Sequence, residues 1–234
     1  MKIAVMQPYF FPYIGYWQLI HAADCFIVYD DVNYINKGWV NRNRILINGD
    51  VKYITLPLHY ASQNKYICNT IIKSSLNWSD KLIKTLEHAY RKSPYFKEIF
   101  PFIEKILRFP SENLSDFLVN QLVIFAELLN IDTKFVMTSR IYNNSTLKGQ
   151  ERILDICICE NAVTYINLPG GQSLYDKTVF NKVGINLCFI STDILPYQQR
   201  SQNFLPNLSI IDMLMEVGIR SLSEKYLPSY RLEF

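Results

Sequence analysis

The sequence predicts an α/β fold, in which a mostly parallel, Rossmann-like sheet carries a helical insertion at about residues 76–130. Short apolar runs, which suit strands buried on both faces, alternate with amphipathic helical stripes towards both ends of the chain. The middle is helical, and Pro94, Pro101 and Pro110 punctuate its helices. Because no linker, repeat or low-complexity tract divides the 234 residues, we expect a single α/β domain over residues 1–234.

A strand–helix–strand unit opens the chain. Residues 2–6 (KIAVM) form an apolar run, two prolines behind it forbid regular pairing, and a helical stripe starts at Tyr16. Two runs around Gly49-Asp50 predict a hairpin or two neighbouring strands. The final helix is expected to stop at Gly218, a residue suited to a C-terminal cap. The predicted strands are residues 2–6, 25–29, 44–48, 52–56, 66–73, 134–137, 163–167 and, last, 185–190, and the predicted helices outside the insertion lie near residues 16–23, 147–161 and 209–217.

Composition narrows the class of protein. Hydrophobic residues make up 49% and charged residues 19% of the chain, which fits a packed core and argues against disorder. The net charge of +3 is dispersed without a dense basic run, so no nucleic-acid partner is expected. No apolar run approaches the roughly 20 residues of a spanning helix, and the N-terminus lacks the pattern of a signal peptide. We therefore expect a cytoplasmic protein without stable membrane insertion.

The cysteines and histidines predict neither a disulfide framework nor a metal site. The five cysteines are odd in number, lie within apolar stretches and include no CxxC pair, so reduced, buried thiols are expected. The three histidines are scattered without metal-ligand spacing, and the sequence indicates no particular cofactor. The cysteines are Cys25, Cys68, Cys157, Cys159 and Cys188.

The turn behind the first strand is the first candidate ligand site. A first βα loop is where an α/β protein holds a phosphate or nucleotide against a helix N-terminus, and the candidate residues here are Gln7, Tyr13, Gly15 and Tyr16. The turn is similar in form to that of nucleotidylyltransferases and class I synthetases, in which a Gly-His pair stabilises a leaving phosphate. Tyr16 stands in place of that histidine, so the fold analogy is kept without the adenylyl-transfer chemistry. A turn of packed aromatic residues is the alternative interpretation.

Two adjacent acidic residues, Asp30 and Asp31, end the second predicted strand and are the candidate catalytic residues. Neighbouring residues on a strand point to opposite faces, so we expect one of the two to enter the site. A carboxylate there can act as a general base, accept hydrogen bonds from a sugar or amine, or hold a divalent cation. The alternative is that both cap the following turn.

The segment Trp39-Val40-Asn41-Arg42-Asn43-Arg44 is the second candidate binding element. In an extended chain Asn41 and Asn43 share one face, and Arg42 and Arg44 share the other. Arginine offers a planar fork to a phosphate or carboxylate, and Trp39 offers a stacking surface to a sugar or base. Interleaved Asn and Arg have poor strand propensity unless something binds them, which favours a diphosphate-linked sugar over a plain surface strand.

A second glycine turn follows the predicted strand 163–167. Its candidate residues are Gly170, Gly171 and Tyr175, because two glycines let a ligand approach the backbone amides. A simple turn fits these residues equally well. The basic residues before it, Arg140, Lys148 and Arg152, either clamp an anion or solvate a helix face, and the solvated face is the default expectation.

Several features carry a resemblance that spans nearly the whole chain. They are Met6-Gln7-Pro8 through Pro12 with Gly15-Tyr16, Ala23-Asp24 with Asp30-Asp31-Val32, Trp39 with Asn41 to Ile45, Gly170-Gly171 with Leu174-Tyr175, Tyr197-Gln198, and Leu208 to Asp212. Together they resemble the WbqC-like protein family. That resemblance implies a place in the biosynthesis of O-antigen, lipopolysaccharide or other surface polysaccharide. The substrate it implies is a nucleotide-activated amino- or deoxysugar.

The leading functional hypothesis is a transferase that acylates or aminoacylates the amino group of a nucleotide-linked sugar. Asp30 or Asp31 takes the amine proton, and Arg42 with Arg44 holds the diphosphate. One alternative is a metal-dependent glycosyltransferase, although adjacent aspartates differ from the spaced Asp-x-Asp that such enzymes use. Another is a non-catalytic protein that binds a sugar nucleotide or scaffolds a biosynthetic complex. Self-association as a homo-oligomer is left open.

Overall fold

The computed structural model describes residues 1–73 and 77–234, and these contain ten strands and seven α-helices. The strands are β1 (Lys2–Met6), β2 (Cys25–Val28), β3 (Arg42–Ile47), β4 (Asp50–Thr55), β5 (Leu58–His59), β6 (Ile71–Ile72), β7 (Lys134–Val136), β8 (Thr164–Asn167), β9 (Asn186–Thr192) and β10 (Tyr230–Glu233). The helices are α1 (Ile14–Ala22), α2 (Trp78–Tyr90), α3 (Phe96–Leu107), α4 (Leu114–Leu128), α5 (Gly149–Cys159), α6 (Lys177–Lys182) and α7 (Ile210–Ser221).

Six strands form the central sheet in the order β10-β9-β8-β1-β2-β7. Five of them are parallel, and β10 pairs with β9 in the antiparallel sense at one edge. The predicted α/β fold with a mostly parallel sheet is therefore confirmed, and its narrower Rossmann-like description stays a prediction. The predicted hairpin is also confirmed, since β3 and β4 pair antiparallel from Arg42 opposite Thr55 to Ile47 opposite Asp50.

Helices cover both faces of the sheet, and β1 shows why. Ala4 faces a large apolar core that includes side chains from α1, α4 and α7. Its neighbours Ile3 and Val5 face the opposite way, into a smaller core built with α5 and α6. Because a strand alternates its side chains, a strand that is apolar on both faces needs helical cover on both sides.

Two predicted strands are wrong in part. Residues 66–73 do not form one strand, because a 3₁₀ turn at Ile67–Asn69 precedes the two-residue β6. Residues 185–190 do not form the last strand, since β10 follows at the C-terminal end. The expectation of buried thiols also fails at Cys159, which is exposed, whereas the other four free cysteines are buried.

Three helical predictions can be compared with the structure. The first helix starts at Ile14, two residues before Tyr16. The middle region contains α2, α3 and α4, and its predicted start at residue 76 lies outside the described residues. Gly218 has φ 76° and ψ 169°, so the helical backbone is interrupted where the final helix was expected to stop, although α7 resumes to Ser221. Among residues 1–73 and 77–234, no helix combines the length and apolarity needed to cross a membrane.

Candidate functional site

The strand order reverses between β1 and β8. From β1 the chain continues to β2 and β7 on one side, and it later returns to build β8 and β9 on the other. In open α/β sheets, ligands bind outside the carboxyl ends of the strands at such a reversal point. A cleft of about 540 Å³ lies there. We call it the switch cleft, and its principal lining residues are Gln7, Tyr9, Tyr29, Gly149, Asn167, Gly170 and Tyr175.

Asn167, the last residue of β8, shapes one wall of the switch cleft. Its Nδ2 donates to the Tyr165 hydroxyl at 3.0 Å, and that hydroxyl lies 3.3 Å from the hydroxyl of Tyr175. A Cβ at Gly171 would approach Asn167 Nδ2 to 2.9 Å, so this glycine is needed for packing. A Cβ at Gly170 would meet nothing within 4 Å. Of the two predicted glycines, Gly170 is therefore the one that leaves open space for a ligand.

Tyr29 forms the opposite wall and is held from behind by a buried ion pair. The Arg152 guanidinium lies 4.9 Å from the centre of the Tyr29 ring. Its Nη2 donates to Asp31 Oδ2 at 2.5 Å, and its Nη1 donates to the Asp31 carbonyl at 3.2 Å. Arg152 is 3% exposed, so the default expectation of a solvated helix face is wrong for this residue. Burial raises the pKa of Tyr29, which keeps its hydroxyl protonated at neutral pH.

Asp30 is fully buried and has its hydrogen bonds satisfied. Its carboxylate accepts from Ser115 Oγ at 2.8 Å, Thr138 Oγ1 at 2.7 Å and the Ser139 amide at 3.2 Å. The Ser139 hydroxyl also donates to Asp31. β2 ends at Val28, so the alternation of side chains along a strand does not extend to the two aspartates. Their carboxylates do not point to opposite faces of the sheet, and both belong to one hydrogen-bond network through Ser139. Neither aspartate belongs to the lining of the switch cleft.

The structure places the predicted residues of the first βα turn in different surroundings. Gln7 lines the switch cleft, whereas Tyr16 is fully buried and donates its hydroxyl to the Gln7 carbonyl at 2.8 Å. A Cβ at Gly15 would lie 2.5 Å from the Tyr13 ring. The close approach that Gly15 permits is therefore made by the ring of Tyr13 rather than by a ligand.

Polar side chains hold this turn in an unusual conformation. Phe11 has φ 44°, a left-handed backbone that costs a non-glycine residue about 1–3 kcal/mol. Asn43 Nδ2 donates to the carbonyls of Phe10 at 3.0 Å and Phe11 at 2.8 Å. Gln121 accepts from the Phe11 amide at 2.9 Å, and Ser209 Oγ donates to the Phe11 carbonyl at 2.9 Å. Asn43 thus helps to fix the turn between β1 and α1.

Arg42 and Arg44 share one face of β3, as predicted, but they have different surroundings. Arg42 stacks on Tyr53 at 4.6 Å and donates to the carbonyls of Lys37 and Gly38. Arg44 lies over the Trp39 ring at 5.5 Å and lines a pocket of about 230 Å³. We call this the Arg44 pocket, and its lining residues are Tyr9, Tyr13, Trp39, Asn43, Arg44 and Asn207.

Asn41 lies on the buried face of the same segment. It accepts a hydrogen bond from the Tyr34 hydroxyl at 2.8 Å, and its Nδ2 donates to the Leu56 carbonyl at 2.9 Å. The structure therefore divides the predicted binding residues into three groups. Gln7, Gly170, Gly171 and Tyr175 line the switch cleft, Tyr13, Trp39, Asn43 and Arg44 line the Arg44 pocket, and Gly15, Tyr16, Asn41 and Arg42 line neither.

Sequence reasoning missed the role of Tyr9, whose position between Pro8 and Pro12 gave no sign that it lines both cavities. It also missed a buried carboxylate, Asp212 in the first turn of α7. Asp212 accepts from the Tyr90 hydroxyl at 2.9 Å and the Tyr197 hydroxyl at 2.7 Å. The available signal was that Tyr197 and Asp212 are both among the motifs shared with the family. Burial raises the pKa of Asp212 to about 6, although both tyrosine hydroxyls lower it.

The raised pKa of Asp212 predicts a pH dependence of stability. The folded state holds the proton more tightly than the unfolded state, so the contribution of Asp212 to the unfolding free energy is greatest below pH 4. That contribution falls as the pH rises from 4 to 6 and is lost above pH 6. The total loss is about 3 kcal/mol, because the pKa of Asp212 shifts from 3.8 to about 6 on folding. Urea unfolding of the wild type and Asp212→Asn from pH 4 to 7 measures it. Parallel pH profiles for the two proteins would contradict the prediction, and exposed Asp50→Asn is the control.

An open, mostly parallel α/β sheet with a cleft at the reversal of its strand order defines the structural class of this protein. Within that class, the chain belongs to the WbqC-like protein family, whose profile matches residues 7–224. It is also 30% identical over 223 residues to a Mycobacterium tuberculosis protein described as "Uncharacterized protein Rv1507c". The aligned region covers 93% of this chain and 94% of that protein. No solved structure matches the chain significantly.

Proposed function

We propose that this protein binds a nucleotide-linked aminosugar in the switch cleft and transfers an acyl or aminoacyl group to the sugar's amino nitrogen. The reaction belongs to the cytoplasmic stage of surface polysaccharide biosynthesis of the O-antigen type. The family resemblance supports the pathway, and the lining of the cleft supports the ligand. The uncharacterized relative adds no information about either.

The observation that carries the proposal is the size and chemistry of the switch cleft. Its volume of about 540 Å³ falls within the ~300–1,000 Å³ typical of small-molecule sites. Tyr9, Tyr29 and Tyr175 offer aromatic faces to a sugar ring or base. Gln7 and Asn167 offer amide donors and acceptors of the kind that sugar hydroxyls need.

A diphosphate can be held in the same cleft without arginine. Gly149 is the first residue of α5, and the first amides of a helix have no partner within it and carry the positive end of its dipole. Gly170 lets an oxygen approach the backbone from the other side. Lys148, the exposed N-cap residue of α5, adds a positive charge nearby. These groups take the place of Arg42 and Arg44, which lie outside the lining of the switch cleft.

The proposed transfer uses an activated acyl donor, a thioester or an acyl ester. An amide bond forms between the sugar nitrogen and the acyl carbon, and the bond from that carbon to the leaving sulfur or oxygen breaks. The amine proton passes to the leaving thiolate or alkoxide. Asp31 acts as a positioning residue, because its pair with Arg152 holds the ring of Tyr29 against the cleft. Asp30 orders the chain behind β2 through Ser115 and Thr138.

A second candidate function is binding of the sugar nucleotide without chemistry. Among the described residues, the switch cleft is lined by no Asp, Glu or His. Burial also raises the pKa of Tyr9, Tyr29 and Tyr175, so that their hydroxyls are poor bases at neutral pH. A binding protein needs no general base, and this observation favours it over any mechanism in which the protein removes the proton.

Calorimetric titration with UDP- and dTDP-linked aminosugars tests the binding step. Tyr175→Phe is expected to weaken binding several-fold, because the hydroxyl at the cleft wall is lost, and Gly170→Val is expected to weaken it at least tenfold by filling the open space. Tyr53→Phe, which removes an exposed hydroxyl on β4, is the matched control and should bind like the wild type. Equal affinities for all four proteins would contradict the proposal.

Mass spectrometry of the mixture after addition of a thioester donor then separates the two candidates. A product heavier by one acyl group identifies the transferase. Tight binding without product across a panel of acyl and aminoacyl donors identifies the binding protein and rejects the transfer step.

A further inference from the structure

We infer that the Arg44 pocket binds the carboxylate of a small organic acid, at a site distinct from the switch cleft. The two cavities share Tyr9 as a lining residue and otherwise have different walls. This inference does not depend on nucleotide-sugar binding, because it concerns different residues and a different ligand.

The first argument is the state of the Arg44 guanidinium. Its central carbon lies over the Trp39 ring, 5.5 Å from the ring centre, and Nη2 donates to the Asn207 carbonyl at 3.1 Å. Among the described residues no acidic side chain pairs with it, and its buried Nε has no hydrogen-bond partner. A buried donor without a partner costs about 1–3 kcal/mol. A carboxylate in the pocket that Arg44 lines accepts hydrogen bonds from its guanidinium and supplies the missing negative charge.

The second argument is the nature of the walls. Three aromatic side chains, Tyr9, Tyr13 and Trp39, line a volume of about 230 Å³, which corresponds to roughly eight water molecules at ~30 Å³ each. Such a cavity is small for a nucleotide sugar and suits a compact ligand. Aromatic walls favour an organic body over a fully hydrated inorganic anion. Burial raises the pKa of Tyr13 to about 12, so this wall stays uncharged and does not repel an anion at neutral pH.

The third argument is the contrast with Arg42. Both arginines lie on the same face of β3, and both stack on an aromatic ring. Arg42, however, donates from Nε to the Gly38 carbonyl at 3.2 Å and from Nη2 to the Lys37 carbonyl. Its donors are therefore engaged, whereas the Nε of Arg44 is not. Arg42, two residues away on the same strand, is therefore a matched control for Arg44.

Nuclear magnetic resonance of the arginine Nε–H groups tests the inference directly. The Arg44 signal is identified as the one that disappears in Arg44→Lys. Butyrate, glucuronate and inorganic phosphate are titrated separately into the wild type without any nucleotide sugar. Saturable shifts of the Arg44 signal by butyrate or glucuronate are expected, and the Arg42 signal should stay in place.

Variants complete the experiment. Arg44→Gln should weaken carboxylate binding at least tenfold, Arg44→Lys should retain part of it through charge alone, and Arg42→Gln should bind within twofold of the wild type. Tighter binding of butyrate identifies an acyl acid as the natural source of the carboxylate, and tighter binding of glucuronate identifies a sugar acid. Tighter binding of phosphate than of either acid, or equal losses in Arg42→Gln and Arg44→Gln, would overturn the inference.

Discussion

Arg152→Ala is expected to lower the unfolding free energy by about 3–5 kcal/mol, which would make it one of the most damaging single substitutions in the chain. The side chains of Arg152 and Asp31 are 4% and 8% exposed, so the alanine variant leaves a buried carboxylate without its partner. The variant also removes the donor to Asn144 Oδ1 at 2.9 Å and the cation behind the Tyr29 ring. Chemical denaturation with a two-state fit gives the measurement.

Arg220→Ala is the matched control for this prediction. Arg220 pairs with Glu224 one helical turn away, and both side chains are largely exposed, so its loss should cost at most about 0.5 kcal/mol. The double variant Arg152→Met with Asp31→Leu should recover much of the lost stability, because apolar replacements leave no unpaired charge. A cost of less than 1 kcal/mol for Arg152→Ala would show that the pair is not the support for the cleft wall described above.

Trp17→Ala is expected to cost about 3–5 kcal/mol as well, for a different reason. Trp17 is fully buried, contacts the Phe125 ring edge-on with a centroid distance of 5.7 Å, and donates its indole N–H to the Pro12 carbonyl at 3.1 Å. The alanine variant opens a cavity and removes the donor that ties α1 to the preceding turn. Denaturation midpoints for the wild type and the variant measure the loss.

Trp17→Phe and Trp78→Ala provide the comparison for Trp17→Ala. The phenylalanine variant keeps most of the apolar volume and loses the hydrogen bond, so it should cost clearly less, about 1–2 kcal/mol. Trp78 is only partly buried at the start of α2, and its truncation should cost less than that of Trp17. Equal effects of Trp17→Ala and Trp78→Ala would contradict the packing described here.

The sequence predicts a strand of the sheet well where the strand's own residues show its pattern of burial. The runs at β1 and β2 are apolar on both faces, and this pattern alone indicates buried parallel strands. The same pattern does not reveal β10, a short edge strand whose residues Tyr230–Glu233 alternate between partial burial and exposure. These residues are extended because they pair with β9. Residues 66–73 were misassigned because a short apolar run does not distinguish a strand from a 3₁₀ turn.

The candidate site was harder to predict because its contacts are distant in the sequence. Asp31 meets its partner Arg152 across 121 residues, and Asp30 meets Ser115 across 85. No local pattern distinguishes a carboxylate that faces a cleft from one that holds a wall in place. Arg42 and Arg44 illustrate the same limit, since their different roles depend on the nearby Lys37 and Gly38 carbonyls in one case and on distant Asn207 in the other.

The claim that the switch cleft is the ligand site is tested most directly by hydrogen–deuterium exchange with and without saturating nucleotide-linked aminosugar. Binding at the reversal of strand order should slow exchange in four separate segments, residues 5–9, 29–35, 149–153 and 167–175, which together line this cleft. The polar groove between the β3–β4 turn and residues 199–205 should exchange as before. Slowed exchange confined to that groove, or calorimetric binding without protection of the four segments, would contradict the assignment.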